Sequence, residues 1–215
     1  MEKIILNANW RTVLLSFVGL LLSFGVLHYL LSSSLLDHNG IQSLAYYSKK
    51  HTVWKTINSA VFWKSSIGVP LKMGIEIVFA TILLKVGIYF AQIVLSFKAL
   101  MQIVIMGYVI FLIQLTGEVV YIQQFMPSSE IEHLDAFSLF SVSFLIEKLG
   151  FIVPYYLKHM FQVINLFEIG FWLLTAFSIS QVGSVSFRKA FSVVGFYVFI
   201  LFIWLLVVSI LTLLI

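Results

Sequence analysis

The sequence predicts an all-α protein: a polytopic membrane helical bundle of about five transmembrane helices, with an interfacial or re-entrant segment between the third and the fourth. Three observations lead there. Hydrophobic residues make up 61% of the 215 residues and charged ones only 10%. An ordinary soluble domain carries about 25% charged residues, so this chain cannot coat a water-facing surface. The mean hydropathy is +1.06. The C-terminal third holds two apolar runs, 169–187 and 190–215, parted by one basic pair, Arg188-Lys189. Each run can cross a bilayer core, which takes about 20 apolar residues, and so short a link makes them antiparallel neighbours.

A single integral membrane domain covers 1–215, and its first span is expected over about 12–36. A cleaved signal peptide has an apolar region of only about 7–15 residues. The run here is longer, and Ser32-Ser33-Ser34 makes a poor cleavage site, so the span reads as retained. His28 within it reads as a residue facing another helix or the headgroups. The next stretch is polar, with Lys49, Lys50, Lys55 and Lys64. Trp54, Ile57 and Val61 recur at helical spacing, with Trp63 close behind, which suits an amphipathic interfacial helix over about 50–66.

Pro70 suits the first turn of a helix, where its missing N–H would be unpaired anyway. The second span, about 70–94, contains Lys72, Glu76 and Lys85. Lys72 and Glu76 share a helix face and can pair, and both lie near the start, where long side chains reach the interface. Lys85 stands nearer mid-span. Ionisable residues inside a span raise a translocation hypothesis by default.

The third span, about 99–117, ends at Glu118. Beyond it Glu132, His133 and Asp135 offer oxygen and nitrogen to a divalent metal. Their spacing fits no zinc motif, and the run reads as a solvated acidic loop. Residues 136–146 are apolar over half a span and stop at Glu147-Lys148. Gly150, Pro154, Tyr155, Tyr156, Lys158 and His159 follow, so about 134–160 reads as interfacial or re-entrant. The fourth and fifth spans are expected over 165–187 and 190–215.

Several functions find no residues to perform them. Without cysteine there is no disulfide or thiolate. No phosphate-binding loop, H-E-x-x-H or G-x-S-x-G stretch occurs. Ser178, Ser180, Ser186 and Ser209 read as packing or backbone-bonding serines. No enzyme, cofactor or metal is expected. The net charge of +4 is spread among spans and does not point to nucleic acid. Basic residues divide almost evenly between the two faces, so charge alone leaves the orientation open.

Asn165-Leu166-Phe167, then Gly183-Ser184, Ser186 and Arg188-Lys189-Ala190, together with Phe97-Lys98 and Tyr108, resemble the Yip-domain family of Ypt/Rab-interacting membrane proteins. The resemblance runs over about 70–215. Gly170 stands where the family usually has tryptophan (Trp172 lies two positions on), Ser178 where it has glycine, and a proline of the third span is missing. The resemblance implies five helices, a cytoplasmic N-terminus and a C-terminus on the far side. Only about ten residues precede the first span, so the Rab-binding segment of eukaryotic members is not expected. A compact bacterial-type member in the cytoplasmic membrane is.

Two functional readings follow. One is a non-enzymatic scaffold in the lipid bilayer, contacting itself or another membrane protein through small residues, with Gly183, Ser184, Ala190 and Gly195 as candidates, and Gly68 and Gly74 beside them. The other is a small transporter or channel component whose polar path uses Lys72, Glu76 and Lys85 with Glu118 or Glu168.

Overall fold

The computed structural model describes residues 9–38, 67–125, 141–151, 161 and 164–214. The expected helix at 50–66, the Glu132-His133-Asp135 run and most of 134–160 lie outside them. The described helices are α1 (Trp10–His38), α2 (Val69–Phe90), α3 (Phe97–Phe125), α4 (Val142–Lys148), α5 (Leu166–Val182) and α6 (Phe187–Leu214). Four of them, α1, α2, α3 and α6, are long and apolar enough to cross a membrane. At 17 residues, α5 is shorter but still mainly apolar and covers about 25 Å of the roughly 30 Å core. The short α4, 7 residues long, cannot span. The protein is an integral membrane helical bundle.

The helices pack as a ring. Helix α2 lies against α3, α3 against α5, α5 against α6, and α6 closes back on α2. Helix α1 sits outside this ring, against α2 and α3. It runs parallel to α3, because Trp10 meets Lys98 at 5.2 Å and Ser16 meets Gln102 at 3.4 Å. Buried faces supply the cohesion: Ile77, Ala80, Leu84 and Ile88 from α2, Leu100, Ile103 and Val104 from α3, Ala176 and Ile179 from α5, and Ala190, Val193 and Val194 from α6. Their partners outside are lipid, as exposed Leu15, Ile75, Phe79, Phe199 and Trp204 require.

Helix ends differ from the expected spans for a local reason. The second apolar run continues to Val94, but α2 stops at Phe90. Gln92 takes the left-handed conformation, with φ of 52°. Its N–H bonds the Tyr89 carbonyl at 3.1 Å, and the Ile93 N–H reaches back to Ile88 at 3.1 Å. This is a Schellman closure with glutamine where glycine is usual. At the end of α5 the same bonds recur around Ser184, with φ of 48°: its N–H to Gln181 at 3.3 Å, and Val185 to Ser180 at 3.1 Å. Helix α5 therefore ends at Val182, short of the expected 187. In the other direction α3 runs past Gly117 to Phe125, because no proline or capping signal intervenes before Pro127.

The two hairpins, α2–α3 and α5–α6, are built alike. After each left-handed residue a serine opens the next helix: the Ser96 hydroxyl accepts from the Ala99 N–H at 3.2 Å, and Ser186 from Lys189 at 3.4 Å. Each serine is followed by phenylalanine, one or two basic residues and a buried alanine, in Ser96-Phe97-Lys98-Ala99 and Ser186-Phe187-Arg188-Lys189-Ala190. Counting from the opening serine, Leu100, Ile103 and Val104 are buried at the same steps as Ala190, Val193 and Val194. With α2 against α6 and α3 against α5, the ring is a parallel pair of repeats about an axis along the helices. Helix α1 stands outside the repeat.

Candidate functional site

The two turns and the start of α1 gather one sign of charge at one end of the bundle. Arg11, Lys98, Arg188 and Lys189 lie there, and among the described residues that end carries no carboxylate. Lys98 lies over the Trp10 ring at 5.2 Å, an arrangement suited to the interface, where aromatic and basic side chains sit together.

Lys85 belongs to this end as well. Its ammonium donates to the Leu95 carbonyl oxygen at 2.6 Å. Leu95 is buried, and its carbonyl lies in the extended link after α2, where no helix supplies a partner. The lysine therefore closes a backbone gap.

The carboxylates lie toward the other end. Glu76 on α2 and Glu168 on α5 sit on diagonally opposite helices of the ring. Glu76 precedes Gln92 by the same number of residues as Glu168 precedes Ser184, so the two lie at about the same depth. They are within electrostatic reach of each other and of Tyr108 and Tyr197. Each also has a neighbour on its own helix. Glu76 pairs with Lys72 at 3.8 Å, and Glu168 accepts from the Trp172 indole N–H at 3.0 Å. About two turns further toward that end, Glu118 accepts from the Gln114 amide at 2.9 Å.

The start of α5 explains how Glu168 is held. Asn165 has extended backbone, and its side-chain oxygen accepts the Glu168 N–H at 2.7 Å, which is an N-cap. An isolated antiparallel bridge joins Ser141 to Asn165, and the Val142 N–H bonds the Ile164 carbonyl at 2.9 Å. The asparagine of the Asn-x-Phe pattern is thus a helix cap tied to the start of α4.

Between the carboxylates and the basic end lies a layer of rings. Phe171, 1% exposed, meets Tyr108 at 5.2 Å, Phe111 at 5.6 Å and Tyr197 at 6.3 Å between centroids. Such edge-on and tilted pairs are favourable beyond their buried area. Gly107 makes room for them: a methyl carbon there would lie 2.8 Å from Phe171 Cδ2 and Cε2.

Of the five polar-path residues, Glu76 and Glu168 lie at one depth on opposite helices, Lys72 pairs with Glu76, Glu118 lies about two turns beyond and Lys85 is at the opposite end. Of the contact candidates, Gly183 and Ser184 form the α5–α6 turn, Ala190 is buried inside the bundle and Gly195 is exposed with nothing within 4 Å of an added methyl carbon. Gly68 precedes α2 as its N-cap, and Gly74 faces Phe17 and Leu21. Sequence reasoning missed Tyr197, Trp172, Gly107 and Gly87, the last lying where a methyl carbon would meet the Val193 carbonyl at 3.2 Å. A polar atom on an otherwise apolar helix was the one signal for the first two.

Among the described residues no group of three or more metal-ligating side chains is present. Comparison with protein-family models, with curated proteins and with solved structures gave no match, so the likeness to the Yip-domain family rests on the quoted residues alone.

Proposed function

We propose that the chain is a non-enzymatic, Yip-like membrane scaffold that acts through helix contacts, with a second copy or with another membrane protein. The observation that supports this reading is the aromatic layer. Phe171, Tyr108, Phe111 and Tyr197 fill the ring between the carboxylate pair and Lys85. A translocation path requires a polar or wettable passage between the two ends, and packed rings oppose one. Lys85, the cation nearest mid-span in the sequence, is engaged with a backbone carbonyl. The outward faces are apolar, and Gly195 offers a close-approach point of the kind helices use in lipid.

The end that holds Arg11, Lys98, Arg188 and Lys189 faces the cytoplasm in this reading, the orientation that the resemblance implies. The N-terminus is then cytoplasmic, α6 ends on the far side, and the bacterial cytoplasmic membrane is the home that the resemblance implies.

A transporter remains the second reading, favoured by one observation: Glu76 and Glu168 lie at one depth, one on each of the two parallel hairpins. Transporters built from such repeats hold their sites between the repeats. Purified protein in sealed vesicles, under imposed proton, sodium and potassium gradients, separates the two. The scaffold reading predicts leakage equal to protein-free vesicles and cross-linking of Gly195→Cys to a membrane neighbour. Flux that disappears in Glu76→Gln with Glu168→Gln overturns it.

A further inference from the structure

A groove of about 620 Å³ runs along the outer side of α1 and α2, and every side chain lining it is apolar. Phe17 and Leu21 form one wall, and α2, with Ile67 just before it, supplies the floor and the other wall as far as Ile82, with Gly74 keeping the floor low. Leu71 and Ile75 on its rim are 62% and 63% exposed, so in the membrane the groove opens to lipid and not to water. Its length is set by the helix: Ile67 to Ile82 is about 22 Å at the usual rise. One leaflet of hydrocarbon is about half of a 30 Å core, so the groove accommodates a whole chain of that leaflet.

Its head end carries a charge. Lys72 stands one turn into α2, at the level where headgroups begin, and shares a helix face with Ile75. Its side chain is 76% exposed, and its contact to Glu76 is 3.8 Å long. An ammonium has three donors, and this one has donors left for a phosphate. An apolar trough of chain length with a cation at its headgroup end is complementary to an anionic lipid.

We propose that the α1–α2 groove seats an acyl chain of an anionic phospholipid from the leaflet opposite the basic end, with the phosphate on Lys72. The proposal requires only that the bundle be embedded in a bilayer, and it stands or falls separately from the scaffold reading.

The test uses the full chain in phosphatidylcholine vesicles, with chain-spin-labelled phosphatidylglycerol, phosphatidylcholine or free stearate as probes. The readout is the fraction of probe that is motionally restricted. Wild type is expected to prefer phosphatidylglycerol over phosphatidylcholine by threefold or more. Lys72→Gln is expected to bring that ratio near one. Ile75→Trp, at an exposed rim position that leaves the inner packing untouched, is expected to at least halve the restricted fraction of phosphatidylglycerol. An unchanged ratio in Lys72→Gln overturns the proposal. So does restriction of free stearate without phosphatidylglycerol, or efficient disulfide formation between copies of Ile75→Cys, which would make a second copy the occupant.

Discussion

Lys85 donates to the Leu95 carbonyl oxygen at 2.6 Å, across ten residues of chain and the whole closing turn of α2. The charge that most suggested a path through the membrane thus has a backbone partner at the break after the helix. A buried carbonyl left without a partner costs about 1–3 kcal/mol. Lys85→Leu is therefore expected to lower stability by about that amount in detergent, read by thermal or denaturant unfolding. Lys85→Arg, which keeps a donor and a charge, is expected to retain most of it. Equal stability of the leucine variant would show that this bond does not hold the turn.

The left-handed residues Gln92 and Ser184 carry a steric penalty that glycine lacks. That penalty is about 1–2 kcal/mol, and glycine returns about 0.4–1 kcal/mol through its freer unfolded chain. Ser184→Gly and Gln92→Gly should each stabilise the bundle by a net of roughly 0.5–1 kcal/mol. Unfolding titrations of the two single variants and the double variant check both the sign and their additivity. Destabilisation by either would mean that the side chain, and not the turn, holds that end.

Those two turns also mark where the sequence was legible. Composition gave the solvent, and the apolar runs gave the membrane-crossing helices, because the cost of unpaired backbone in lipid leaves little else available. The ends were less legible. Ile93, Val94 and Leu95 extend the apolar run, yet the helix has already closed at a glutamine, a residue that carries no stop signal. Depth across the ring was also hidden: Glu76 and Glu168 stood on one candidate polar path, yet their common depth follows only from the two turns. The partner of Lys85 was hidden too, because an apolar surrounding gives no hint that a backbone carbonyl waits ten residues on.

Gly107 is the gap into which Phe171 packs. Its added methyl would lie 2.8 Å from two ring carbons of a side chain that is 1% exposed and so has nowhere to turn. Gly107→Ala is expected to cost about 1–3 kcal/mol, the usual range for overpacking a core. A double-mutant cycle with Phe171→Leu should recover a large part of that loss. Additive effects would show that the two positions do not meet.

Asn165 caps α5 through the Glu168 N–H at 2.7 Å. Asn165→Ala is expected to cost about 1 kcal/mol, while Asn165→Asp keeps the acceptor and should be nearly silent. Hydrogen exchange at the first turn of α5 would report the loss locally, as faster exchange of the Glu168 amide in the alanine variant alone.

The absence of cysteine makes the closed interior directly measurable. Thr175 is 1% exposed and lies on α5 one turn from Phe171, on the basic side of the aromatic layer. Ser184 sits in the open turn at the basic end. Single-cysteine variants Thr175→Cys and Ser184→Cys, in sealed vesicles of known orientation, are treated with a membrane-impermeant thiol reagent from each side. A closed bundle predicts labelling of position 184 from one side only and none of position 175 from either. Rapid labelling of Thr175→Cys, from the carboxylate side above all, would mean that water crosses the layer and would contradict the scaffold account.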